Sequence, residues 1–293
     1  SCFCQLGFLL VPPDFAFLPE QDHSLNDLIS SGKQKDWKRL LRHSLHPDIQ
    51  ALALHQLQES KELSDQHLLE YLKTSPYESV RLEAFLLLQQ RHSDDFVSAI
   101  ENAADDNFEL LQRFAVNALI KNGDPRLANT LAGKLCDVNT SARVAFNALQ
   151  GTQFFSRQNL LPAVEDRLRQ VAPYVVQPET YAKGVLKNAE NYAGRWNEEI
   201  EKLCKGEMSH KRALTQINFM RIYCPPYLLP QVAGYAATLK DDELLLPLLE
   251  ALGWHRQAYT SAQVVPVVEK LMKDTSHSEQ VRQEALKTYK RLK

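Results

Sequence analysis

At 293 residues the chain is long enough for one to three globular domains or a single elongated repeat array. Hydrophobic residues make up 44% and charged residues 24%, a balance that supports a buried core and excludes a disordered chain. The net charge of −2 lacks the basic excess of proteins that grip phosphates, which disfavours a nucleic-acid partner unless a local patch supplies one.

The apolar run from Phe3 to Val11 stops at Pro12-Pro13-Asp14, too short for a bilayer span of about 20 residues. Two readings of residues 1–23 stand side by side. Ser1-Cys2 resembles the small-residue-plus-Cys junction of a bacterial lipoprotein, which implies a lipid on Cys2, a periplasmic or outer-membrane location, and membrane contact through that lipid alone. The other reading is an apolar stretch that caps the first repeat, which is compatible with a cytoplasmic protein. Cys136, Cys204 and Cys224 sit among apolar residues and are expected to be free, buried thiols; five scattered cysteines are not a disulfide framework.

From residue 24 onward the chain is self-similar. Ser79-Val80-Arg81-Leu82-Glu83-Ala84 and Gln280-Val281-Arg282-Gln283-Glu284-Ala285 read alike, with related copies at Arg113, Arg143 and Arg212. The arginines recur about every 30 to 35 residues or twice that, and weaker copies fall at His46-Pro47, Tyr181-Ala182 and Leu246-Pro247. Within each unit two apolar stripes of helical period are parted by turn residues, as in Leu68, Leu69 and Leu72, then Thr74-Ser75-Pro76, then Val80, Ala84, Leu87 and Leu88. Further turns are expected at His92-Ser93-Asp94, Asn122-Gly123-Asp124-Pro125, Cys224-Pro225-Pro226 and Ser276-His277-Ser278. Asp124 before Pro125 predicts an N-cap followed by proline at the first helical position.

Leu160-Leu161-Pro162, Leu228-Leu229-Pro230 and Val264-Val265-Pro266 resemble the first helix of a HEAT repeat, and Asp274 with Val281-Arg282 completes the pattern in the last unit. The resemblance covers residues 24–293. It implies an all-α fold: a right-handed superhelix of about eight antiparallel helix pairs, with the Val-Arg helices on its concave side. The segment 172–206, with Pro173, Pro178, Gly184, Gly194 and Gly206, departs most from the pattern and is expected to bend the array near residue 175.

Three sets of residues are candidates for function. Arg81, Arg113, Arg143, Arg212 and Arg282 are expected to be a structural ladder, each guanidinium meeting carboxylates or helix C-terminal carbonyls of a neighbouring repeat. Four positions after the arginines stand the amides Asn117, Asn147 and Gln216, which either bind a partner or hydrogen-bond one another between stacked helices. The C-terminal half is rich in Tyr and Trp, the residues that anchor interfaces and also fill cores; Trp254, His255 and Tyr259 are the partner-binding candidates there. No phosphate-binding, zinc-protease or nucleophile-elbow motif occurs, and His43 with His46 lacks further ligands in sequence, so neither a cofactor nor a metal is expected.

These features favour a non-enzymatic scaffold or adaptor that holds a protein partner on its concave surface. Two alternatives remain: a HEAT-like enzyme or factor acting on nucleic acid or a chromophore, and a lipid-anchored periplasmic subunit of a surface assembly.

Overall fold

The computed structural model describes residues 34–58 and 63–293, and side chains within that range except at 34–36 and 188–193. Cys2, the apolar segment 1–23 and the first residues of the expected array lie outside the described residues. Those described form an all-α helical-repeat fold in two compact units, one up to Ala103 and one from Ala104. No helix among them is long and apolar enough to cross a membrane.

In the first unit α1 (Gln34–His43) pairs with α2 (Pro47–Gln56), and α3 (Asp65–Thr74) with α4 (Glu78–Gln90); α2 also packs on α4. α5 (Phe96–Ala104) follows, its Phe96 ring lying against Phe85 at 5.6 Å. Ser64 caps α3 by accepting from the His67 amide, one of the donors a helix start leaves without an internal partner. Between α2 and α4 the His55 Nδ1 lies 2.9 Å from Glu83 Oε1, and Glu83 is only 2% exposed. That hydrogen bond raises the His55 pKa, so the imidazolium form is favoured beside the buried carboxylate.

The second unit runs α6 (Glu109–Asn122), α7 (Ala128–Cys136), α8 (Ala142–Gly151), α9 (Arg157–Val171), α10 (Pro178–Cys204), α11 (His210–Met220), α12 (Leu229–Thr238), α13 (Asp242–Gly253), α14 (Ser261–Lys273) and α15 (Glu279–Leu292). First helices stack on first helices, α7 on α9 and α12 on α14. The Val-Arg helices do likewise, α6 on α8, and α11 on α13 on α15. Asp124 caps the turn Pro125–Leu127 through the Arg126 amide, as the Asp-Pro pair predicts; the helix begins there with one tighter 3₁₀ turn. Ser278 caps α15 in the same way through the Val281 amide.

The segment expected to bend contains one uninterrupted helix of 27 residues, α10. Pro178 takes the first turn, where no amide donor is missed, and a Cβ on Gly184 or Gly194 would meet nothing within 4 Å. Each glycine costs about 1 kcal/mol of helix propensity but breaks nothing. The helix stands in for two shorter ones: it packs on α9 and also contacts α11 and α12.

A regular array touches only its sequence neighbours, and here the second unit departs from that pattern. The turn after α6 reaches the turns after α11 and α13. The Tyr259 amide donates to the Asn122 carbonyl at 2.9 Å, and Asn122 Nδ2 donates to the Gln257 carbonyl at 3.2 Å. Thr260 Oγ1 donates to the Pro226 carbonyl at 2.5 Å. Gly123 lies between these strands of chain in the left-handed conformation, φ +62°, and a Cβ there would stand 2.6 Å from Pro226 Cγ. Only glycine satisfies both demands. Gly123→Ala is therefore expected to destabilise the second unit by about 1–3 kcal/mol, read as a lowered melting temperature, whereas Gly194→Ala should leave it unchanged or raise it.

Candidate functional site

Beneath this three-turn junction lies an aromatic knot. Trp196 of α10 stacks on Phe219 of α11 with centroids 4.5 Å apart, and Tyr223 lies 5.8 Å from Phe219 and 5.3 Å from Phe154. Such pairs add about 0.5–1.5 kcal/mol each beyond the area they bury. Tyr227 accepts from Asn197 Nδ2 at 2.5 Å, and burial pushes its hydroxyl pKa up to about 12. Much of the C-terminal aromatic enrichment is thus interior packing. Trp254 is different: it is 63% exposed.

Trp254 stands on the rim of a groove of about 690 Å3. Four Val-Arg-type helices end there. α6 contributes Asn117, Ile120 and Lys121; α11 and the residues after it contribute Arg221, Ile222, Cys224 and Pro226. α13 and its turn contribute Gly253, Trp254, His255, Arg256 and Gln257, α15 contributes Arg291, and Phe154 adds an aromatic wall. Ile222 is 79% exposed beside Trp254. Both are held on fixed backbone, the Ile222 amide donating to the Phe219 carbonyl at 2.9 Å and the Trp254 amide to that of Ala251 at 3.1 Å.

His255 is tied rather than free. Its Nε2 donates to the Met220 carbonyl at 2.6 Å, and burial lowers its pKa, which leaves the ring neutral at pH 7. Cys224 is buried, which pushes its thiol far above neutrality; burial likewise lifts Cys136 and Cys204 to about 11. None of these thiols is an activated nucleophile. Lys121, Arg221, Arg256 and Arg291 bring four cations to the lining, which includes no carboxylate. Of these, Arg221 pairs with Glu250 at 2.7 Å.

Of the sequence-derived candidates, Asn117, Trp254 and His255 come together in this groove. Tyr259 is partly buried and its backbone serves the junction instead. Asn147 is half-buried on α8, away from the lining, and Gln216 is buried with no partner for its Nε2. The expected arginine ladder is uneven. Arg81 donates to the Ser75 carbonyl at the end of α3 at 3.0 Å, and Arg212 meets Glu199 at 2.5 Å. Arg282 has only Glu279 of its own helix at 3.8 Å, Arg143 is exposed, and the buried Nε of Arg113 has no partner. Bonds between stacked repeats instead use Arg167, which grips Asp137 through Nε at 3.0 Å and Nη2 at 2.5 Å, and the Arg221–Glu250 pair. Neither arginine lies in the Val-Arg register, so the repeat pattern gave no sign of them.

A second cluster, His210, Asp241 and Glu243, brings three metal-type ligands together, with His210 Nε2 3.1 Å from Asp241 and 3.4 Å from Glu243. All three are exposed and sit at the N-termini of α11 and α13, whose dipoles oppose a bound cation.

No protein-family model and no curated protein matches the chain. Among solved structures, a designed armadillo repeat protein aligns with 89% of this chain and 100% of its own, at 16% identity and a TM-score of 0.23. A likeness at that level says nothing of what this chain binds.

The contrast between the tryptophans is measurable. Trp196→Ala should cost on the order of 3 kcal/mol of stability, while Trp254→Ala should shift the thermal melt by less than about 0.5 kcal/mol equivalent. Equal losses at the two positions would mean that Trp254 is packed rather than presented.

Proposed function

We propose that this chain is a non-enzymatic helical-repeat protein that holds a protein partner, and that the groove at the ends of α6, α11, α13 and α15 is where the partner seats. The observation that carries this reading is the presentation of Trp254 and Ile222. Two large apolar side chains stand out in water, on fixed backbone, beside a cavity of about 690 Å3. A folded chain gains by burying such groups, and interfaces are where they become buried; Trp is among the residues that dominate binding energy there. Rigid backbone lowers the ordering cost of association.

The repeats are read as HEAT-type. Pro162, Pro230 and Pro266 lie in first helices and the Val-Arg pairs in second helices, which supports that assignment. The groove's polar groups suit binding better than catalysis, since His255 is neutral and spent on a carbonyl and Cys224 is a buried thiol. Asn117 adds an exposed amide able to pair with a partner's backbone.

Site-specific photo-crosslinking tests the reading. A photoreactive side chain at position 222 is expected to give discrete protein adducts in native extract, suppressed by Trp254→Ala. The same group at position 138, where Val138 is 96% exposed and away from the groove, should give none of them. Identical adducts from both positions would remove the groove from the account.

A further inference from the structure

The groove carries a charge as well as an apolar rim, and this allows its occupant to be narrowed. The argument rests on the protein-binding reading above. Lys121, Arg256 and Arg291 are exposed at the lining, while the charge of Arg221 is met by Glu250. Helix ends work against them: the C-termini of α6, α11, α13 and α15 each carry about half a negative charge. Three cations against about two units of dipole charge leave the groove positive. His255 contributes no charge at neutral pH, because its ring is neutral and bonded to the Met220 carbonyl. The chain as a whole has net charge −2, so this positive site stands against an acidic background.

Size points the same way. A volume of about 690 Å3 lies within the range of about 300–1,000 Å3 that takes a few side chains or a small ligand. An enclosed small-molecule site would bury its apolar lining, yet Trp254 and Ile222 project from the rim. They offer contact area to chain running on beyond the cavity. From the charge and the two exposed side chains we infer that the groove binds an acidic peptide segment carrying a large apolar side chain. The apolar group packs on Trp254 and Ile222, and flanking carboxylates pair with Lys121, Arg256 and Arg291. Arginine is well suited to this, since its planar fork takes a carboxylate through two bonds at once.

The test uses the full chain and fluorescence anisotropy with a short labelled peptide of aspartates and glutamates around one phenylalanine. Binding is expected, weakening as salt rises. The double substitution Lys121→Glu with Arg256→Glu should weaken it at least about tenfold, and Trp254→Ala should weaken it independently. All three residues are exposed, and circular dichroism will show that the variants fold. If a version with lysines in place of the acids binds as tightly, the inference fails while the protein-binding reading stands. If the acidic peptide binds but neither variant weakens it, this groove is not its site and the inference also fails. If a single-stranded oligonucleotide binds more tightly and with the same sensitivity to the variants, both the inference and the protein-binding reading give way to a nucleic-acid one. If the acidic peptide does not bind at all, the inference is overturned, and crosslinking from position 222 then decides the broader reading separately.

Discussion

The contact on which the second unit depends is the meeting of the turn after α6 with the turns after α11 and α13. Helix layers advance by about 8–10 Å. In an array that touched only sequence neighbours, the turn after α6 would stand on the order of 30–40 Å from the turn after α13. Instead Asn122 exchanges hydrogen bonds with Tyr259 and Gln257 directly, and Gly123 fits against Pro226. The hydrogen bonds are worth only about 1 kcal/mol each. Their effect is geometric, because they fix which helix ends share a space.

The groove follows from that closure. Its apolar rim is formed by Ile222 and Trp254, from the turns after α11 and α13, and its amide and one of its cations come from α6. Without the junction those residues would belong to different repeats, each offering a lone side chain. With it, an exposed tryptophan, an exposed isoleucine and three cations without carboxylate partners face one cavity. The aromatic knot of Trp196, Phe219, Tyr223 and Phe154 lies next to it, and Phe154 is shared by the knot and the groove wall.

The helical-repeat character of the chain was legible because it is written locally. Asp124-Pro125 starts a helix wherever it occurs, Ser278 caps the next amides, and the stripe from Val80 to Leu88 marks one buried face whatever lies opposite. α10 was harder to read, since Gly184 and Gly194 look like breaks until their surroundings are seen to be open solvent. The arginine register also misled: repetition at a fixed period marks equivalent helix positions, but partners depend on what the next layer offers. Arg167 found Asp137 and Arg221 found Glu250, while Arg143 points to water. Trp254, His255 and Asn117 were identifiable as candidates singly. Their convergence was not, because it rests on contacts between positions 122 and 257, and no periodic signal links residues so far apart in sequence.

Hydrogen exchange at the Tyr259 amide tests the closure most directly. This amide lies in a turn between helices and has a single acceptor, the Asn122 carbonyl across the junction. The account predicts slow exchange there, comparable with amides of the packed helices α13 and α14. Exchange at the rate of an open loop, with α13 and α14 still protected, would mean that the turns do not meet and that the groove is not a standing feature of the protein.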